Sequence, residues 1–312
     1  MTKLTNPFLL KSELKYAVAV SGGSDSLAML MMLVEFGYQS QITVLHFNHK
    51  LRPESEEEAL EVEKICEGLG VPCIVGHWDD QALEGNLQQQ ARQARYSFFK
   101  RCCDEKNLAE VLVAHTQDDV VETMLMRLGR GSGLTGLSAM AERSTALDVA
   151  VFRPLLGYSR EELQQYLADK PVDFISDPSN DNDKFFRIRV RKLKGHLHNA
   201  GLDYQHMASS AHALKRADEA LEFFTEGLAN QLIENKEAGQ VALSTDLTFY
   251  PQEVQLRLLA MALLQCTGQG MAPRTSKRQQ ALQFMVQGVP KFTLGGAIFL
   301  QGSGAYIIEK QP

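Results

Sequence analysis

This sequence predicts an α/β fold: a parallel sheet with helices on both faces, then a smaller helical domain ending in a β-hairpin. Three observations predict it. Val- and Ile-rich runs of strand length alternate with helical patterns through the first half of the chain. Polar segments bearing Gly, His and Asp recur where those strands end, which is where open parallel sheets bind ligands. From about residue 206 the alternation stops and a long helical stretch begins.

In chain order, the strand-like runs are residues 16–20, 41–47, 73–77 and 110–115, and the helical patterns between them are 27–36, 54–69, 86–102 and 118–128. The 27–36 stretch reads as amphipathic. A further strand at 148–152 and a helix at 160–168 follow a glycine-rich loop. The second region holds helices at 206–233 and 251–266. It closes with a hairpin, 292–294 and 297–300, and a Gly302-Ser303-Gly304 turn into 305–308. A boundary near 200–215 gives two domains, 1–205 and 206–312, in keeping with a chain of 312 residues.

Composition narrows the class. No apolar run approaches the roughly 20 residues needed to span a bilayer, and the first twelve residues lack the pattern of a signal peptide. A cytoplasmic protein without a membrane partner is expected. Cys66, Cys73, Cys102, Cys103 and Cys266 are an odd, scattered set with no CxxC, so neither a disulfide framework nor a zinc or iron–sulfur site is indicated. The net charge is −6, but seven glutamates against one lysine between Glu54 and Glu67 account for it. Elsewhere, Lys184, Arg187, Arg189, Arg191, Lys192 and Lys194 fall within eleven residues without an acid. Such a cluster has the electrostatic footprint of an RNA-binding patch; a solvated helix face is the alternative.

Ser21-Gly22-Gly23-Ser24-Asp25-Ser26 lies between the first apolar run and the helix after it. Glycines let the backbone approach an anion, and the first N–H groups of a helix then bind it. No lysine follows the glycines, so this is not the GxxxxGK[ST] loop. Asp25 beside phosphates makes sense as a magnesium ligand, since Mg²⁺ favours one or two carboxylates plus substrate oxygens. A serine-capped helix after a Gly-Gly turn is the plainer reading.

The second strand ends in His46-Phe47-Asn48-His49-Lys50-Leu51-Arg52. His46 could face a nucleotide or be packed, and Arg52 could meet a phosphate; no carboxylate or cysteine stands at zinc-ligand spacing. In 86–102, Leu87, Ala91, Ala94 and Phe98 form a core stripe, and Arg92 and Arg95, three apart beside it, could clamp phosphate or simply be solvated. After the fourth strand come His115, Asp118, Asp119 and Glu122, with Asp118 and Glu122 on one helical face. Acids at a helix start are ordinary dipole partners, yet three of them beside a phosphate site can also hold magnesium or an ammonium group. A basic loop including Arg127 and Arg130 follows, suited to closing over a nucleotide.

SGGxDS directly after an apolar strand resembles the pyrophosphate loop of N-type ATP pyrophosphatases, whose sheet is Rossmann-like. The ordered set SGGSDS, HFNHKLRPES, NLQQQARQARY, AHTQDDVVETMLMRLGRGSGLTGL, Arg153-Pro154-Leu155-Leu156, Ser159-Arg160 and Asp177-Pro178-Ser179-Asn180-Asp181 resembles the tRNA(Ile)-lysidine synthetase family. Lys291-Phe292-Thr293-Leu294-Gly295-Gly296 is similar to that family's small domain. One departure is that Ile188 follows Arg187 where the family usually has Asn. The resemblance implies a short form without a further C-terminal domain, a ligase using ATP and Mg²⁺, free lysine as co-substrate, and an isoleucine tRNA with a CAU anticodon. A homodimer is compatible with it. It also implies roles: Ser21, Gly22, Gly23, Ser24, Asp25 and Ser26 for pyrophosphate, with His46, His115 and Arg95 near the adenylate. Asp118, Asp119 and Glu122 would hold magnesium or the lysine ammonium. Arg92, Arg130 and the 184–194 cluster would meet RNA. Two rivals are a tRNA thiolase of the same superfamily, which commonly needs a CxxC pair or an iron–sulfur cluster, and a non-catalytic RNA-binding module.

Overall fold

The computed structural model describes residues 5–50, 54–78, 87–170, 172, 174, 186–236 and 239–311. The chain divides into two units, Met1–Lys215 and Arg216–Pro312.

The first unit runs β1 (Tyr16–Ala19), α1 (Ser24–Glu35), β2 (Ile42–Asn48), α2 (Ser55–Gly68), β3 (Cys73–His77), α3 (Leu87–Lys106), β4 (Val111–Leu112) and α4 (Gln117–Leu128). It continues with α5 (Leu134–Leu137), β5 (Arg143–Ala146), β6 (Val149–Phe152), α6 (Arg160–Ala168), α7 (Phe186–Lys192) and α8 (Lys194–Asn199). The long α9 (Tyr204–Leu232) crosses into the second unit. The sheet order is β3-β2-β1-β4-β6-β5, parallel except for the β5–β6 pair. The order reverses between β1 and β4, so the loops leaving these two strands flank the crevice where such sheets bind ligands.

Helices on both faces explain the composition of β1. Tyr16, Ala17 and Val18 are all buried, as expected for a strand covered on two sides. The expected amphipathic helix is in fact buried all round from Ser26 to Leu33, because α1 lies between the sheet and α6. The expected stripe of α3 holds in part: Ala91 and Phe98 are buried, Ala94 is half-buried and Leu87 is exposed, while Tyr96, Phe99 and Cys102 join Phe98 in the packing beneath β4 and β6.

The second unit is less helical than its sequence suggests. After α9 it adds β7 (Ile233–Asn235), β8 (Val241–Ser244), α10 (Gln252–Thr267), α11 (Thr275–Val286), β9 (Lys291–Leu294), β10 (Ala297–Gln301) and β11 (Ala305–Lys310). The expected hairpin is β9–β10, turned by Gly295 and Gly296 at φ +57° and +77°. It belongs to a five-stranded antiparallel sheet, β7-β8-β11-β10-β9, whose Phe299, Tyr306 and Ile308 pack with Leu258, Leu259 and Leu263 of α10. No helix among the described residues is long and apolar enough to cross a membrane.

Candidate active site

Past β1, residues 21–26 turn the chain into α1. Gly22 adopts φ +87°, a conformation that strains any residue with a Cβ. Gly23 is the N-cap and contributes no side chain, so the helix start is left open to an anion. Ser26 closes the loop: its hydroxyl donates to the Gly23 carbonyl at 2.9 Å and accepts from the Ser21 N–H at 3.2 Å. From β2, His46 donates Nδ1–H to the Val20 carbonyl at 2.9 Å, bracing the approach to the loop. Burial holds the pKa of His46 below its ordinary value, so the ring is neutral near pH 7.

Across the crevice, α4 starts with a capping box in which Thr116 Oγ1 accepts the Asp119 N–H and Asp119 Oδ2 accepts the Thr116 N–H. The acidic side of this helix faces inward: Asp118, Asp119 and Glu122 are buried. What compensates them is Arg160, the first residue of α6. Its Nε donates to Asp25 Oδ2 at 3.0 Å, while its two terminal nitrogens lie 3.4 Å from Glu122 Oε1 and 3.7 Å from Asp119 Oδ1. Its backbone N–H donates to Asp118 Oδ2 at 2.9 Å. The Glu122 carboxylate, 0% exposed, also meets Arg191 Nε at 2.9 Å and Arg187 Nε at 3.5 Å. Lys194 donates to Asp118 Oδ1 at 2.7 Å and lies 5.0 Å from the centre of the Tyr204 ring.

These charges shape one another. Burial lifts the Asp25 pKa against the pull of Arg160, and the nearby Asp119 adds to the rise. Burial would also lift Asp119, but His115, the Thr116 N–H and Arg160 outweigh it and hold that carboxylate below the usual range. Arg160 is buried as well, yet its three acidic neighbours raise its pKa further. Arg160 therefore joins the cradle and the acids into a single charged network.

A neutral polar group adjoins it. Burial, with Arg95 and His46 nearby, pushes His49 down to about 4. Burial likewise pushes His115 to about 4, against the pull of Asp119 and with Arg153, Arg187 and Arg95 adding to the fall. Among the described residues, His49 Nδ1, His115 Nδ1 and Arg95 Nε have no hydrogen-bond partner. Buried polar atoms without partners are costly, and a polar ligand would satisfy them.

The sequence-derived residues separate into groups. Residues 21–26, His46 and His115 sit at the carboxyl ends of β1, β2 and β4, and Asp25, Asp118, Asp119 and Glu122 share the Arg160 network. The basic cluster is divided: Arg187, Arg191 and Lys194 turn toward Asp118 and Glu122, whereas Arg189 and Lys192 are exposed. Ile188 and Val190 are buried between them. Arg92 is exposed, 4.6 Å from the Tyr96 ring centre, and Arg130 is exposed, 6.0 Å from that of Phe186. The basic loop expected over 127–137 is tied down, with Arg127 donating to the Gly136 carbonyl at 2.9 Å beside the short α5. Lys184, Arg52 and the segment 177–181 lie outside the described residues.

Sequence reading gave no role to Arg160 or to Arg153, whose guanidinium donates to the Ala141 carbonyl and Ser144 Oγ. Arg160 had a signal. A cation at the first position of a helix opposes the macrodipole, so it calls for a compensating anion.

Among the described residues no three His, Cys, Asp or Glu side chains gather at metal-binding spacing. Asp25, electrostatically coupled to Asp119, is a donor set that suits a magnesium ion arriving with phosphate oxygens rather than a protein-built cage.

A family described as the PP-loop domain matches residues 1–196. The tRNA(Ile)-lysidine synthase of Anaplasma marginale is 34% identical, covering 95% of this chain and 65% of that protein. The tRNA(Ile)-lysidine synthase of Ruegeria pomeroyi is 36% identical, covering 94% and 70%. The chain thus spans about two thirds of the length of these curated relatives. Among solved structures, a U34-tRNA thiolase, NcsA from Methanococcus maripaludis with its [4Fe-4S] cluster, matches with a TM-score of 0.56 at 20% identity, over 68% of this chain and 74% of that one. At that identity the likeness concerns the fold alone.

Proposed function

The chain belongs to the tRNA(Ile)-lysidine synthase family of PP-loop proteins, and from that premise we propose that it makes lysidine in a CAU-anticodon isoleucine tRNA. ATP adenylates the 2-carbonyl oxygen of the wobble cytidine and pyrophosphate leaves. The ε-amine of free lysine then attacks the activated carbon and displaces AMP. The observation that carries this reading is the Arg160 bridge between Asp25 at the phosphate cradle and the buried Asp119 and Glu122. A reaction that expels an anion and recruits an ammonium needs both halves side by side.

Residues 21–26 hold the pyrophosphate, and Arg95, His46 and His115 lie toward the adenylate. Magnesium, held by Asp25 together with phosphate oxygens, would neutralise charge on the departing group. Asp119 and Glu122 bind the lysine ammonium, which must lose a proton before it can attack. Asp118 positions the helices, because one of its oxygens accepts from Arg160 N–H and the other from Lys194. Arg92, Arg130, Arg189 and Lys192, all exposed, meet RNA phosphates. A homodimer is compatible with this reading. The substrates imply a cytoplasmic site of action.

The cysteines favour an amine over sulfur delivery. Cys73 opens β3, at the end of the sheet opposite the site, and Cys66 and Cys102 are buried in α2 and α3. Cys103 follows in α3, and Cys266 belongs to the second unit. Pyrophosphate release from ATP that requires a CAU-anticodon tRNA tests the enzymatic reading. Binding of ATP and tRNA without release would mark an RNA-binding module instead.

A further inference from the structure

Both halves of the site share one cation. The SGGSDS cradle carries no lysine of its own, and the guanidinium of Arg160 stands 3.0 Å from its Asp25. The same guanidinium lies over the two carboxylates assigned to the lysine ammonium, at the longer distances of 3.7 Å for Asp119 and 3.4 Å for Glu122. We propose that Arg160 couples the two substrates: it covers Asp119 and Glu122 until phosphate oxygens in the cradle draw it away, and so ATP opens the lysine site. This rests on the lysidine reading above.

The geometry makes the exchange local. The backbone of Arg160 is fixed by Asp118, and the start of α6 by the capping box of Ser159 with Glu162, so only the side chain has to turn. Guanidinium groups pair two-pronged with phosphate oxygens, whereas Arg160 reaches Asp119 and Glu122 by one long contact each, 3.7 and 3.4 Å. When Arg160 leaves, Glu122 keeps Arg191 and Arg187, and Asp119 keeps its Thr116 bonds through Oδ2. Asp119 Oδ1 then faces the vacated space. Glu122 Oε1 loses one of its two cations, and Oε2, on a side chain that is 0% exposed and 3.5 Å from Arg187 Nε, accepts no hydrogen bond among the described residues. An incoming ammonium would supply one and restore the charge that Arg160 removed.

Coupling of this kind is reciprocal in binding free energy. Titration calorimetry of the intact protein with lysine, with and without α,β-methylene-ATP and magnesium, measures it. Lysine affinity should rise by about 5- to 150-fold with the analogue, the usual range for coupled sites. Lysine should tighten analogue binding by the same factor. AMP, which lacks the outer phosphates, should give no such rise. Arg160→Gln should bind lysine with equal affinity whether or not the analogue is present. Lysine binding that ignores the analogue in the unaltered protein overturns the coupling while leaving lysine as the substrate. No lysine binding under any condition, CAU-anticodon tRNA included, overturns both. The measurement on the unaltered protein decides the matter whether or not Arg160→Gln folds.

Discussion

Arg160 Nε stands 3.0 Å from Asp25 Oδ2, joining the first turn of α6 to the first turn of α1 across 135 residues of chain. The contact fixes where the cradle's carboxylate points and places positive charge beside residues 21–26. The same side chain also reaches Asp119 and Glu122, so Arg160 joins the cradle to the acids of α4.

Asp25→Asn should lower turnover by two or more orders of magnitude, since losing one charge-stabilising group costs roughly 3–4 kcal/mol. Affinity for tRNA should change little, because the exposed cations are untouched. Pyrophosphate release close to that of the unaltered protein would remove Asp25 from the mechanism.

The division of the basic cluster predicts two phenotypes. Replacing Arg189 and Lys192 with glutamine should weaken tRNA binding and flatten the slope of log affinity against log salt by about one to two units. Arg191→Gln should instead destabilise the first unit, because it removes a partner of the buried Glu122. Thermal melting beside salt-dependent tRNA binding separates them. Equal salt slopes for the double variant and the parent would mean that the outward cations do not touch RNA.

Stability should fall on acidification between about pH 6.5 and 4. His115 and His49 are both pushed to about 4 by burial in the folded protein, against an ordinary value of 6.5. Their pKa is depressed, so the unfolded chain binds more protons through this window and stability is lost as pH falls through it. Melting temperature against pH checks this, and His115→Gln should remove part of the slope. A flat profile across the window would contradict the burial of neutral imidazoles.

A variant with all five cysteines changed to serine or alanine should, when folded, keep lysine-dependent AMP formation. An amine nucleophile needs no thiol. AMP formation that ignored lysine and required a sulfur donor would favour the thiolase chemistry.

The cradle was legible in the sequence because its determinants are contiguous: an apolar strand, two glycines and a helix start. The acids of α4 were legible for the same reason, as Asp118 and Glu122 follow helical spacing. Arg160 was not, since its partners Asp25 and Glu122 lie 135 and 38 residues away. Nor was the inward turn of Arg187, Arg191 and Lys194, which depends on α7 and α8 packing against α4. Strands such as Arg143–Ala146 and Ile233–Asn235 are short and mostly polar, and only their sheet neighbours define them. The continuous burial of α1 was not legible, because it depends on α6, far along the chain, covering the face turned away from the sheet.

The central claim is that lysine, activated by nothing but this site and ATP, ends on the wobble cytidine. Unmodified CAU-anticodon isoleucine tRNA should be incubated with the protein, ATP, magnesium and lysine, and the product weighed by mass spectrometry. The account predicts a gain equal to one lysine less one water, confined to the anticodon and absent when lysine or ATP is withheld. An unchanged mass, or a gain that corresponds to sulfur replacing oxygen, would contradict it.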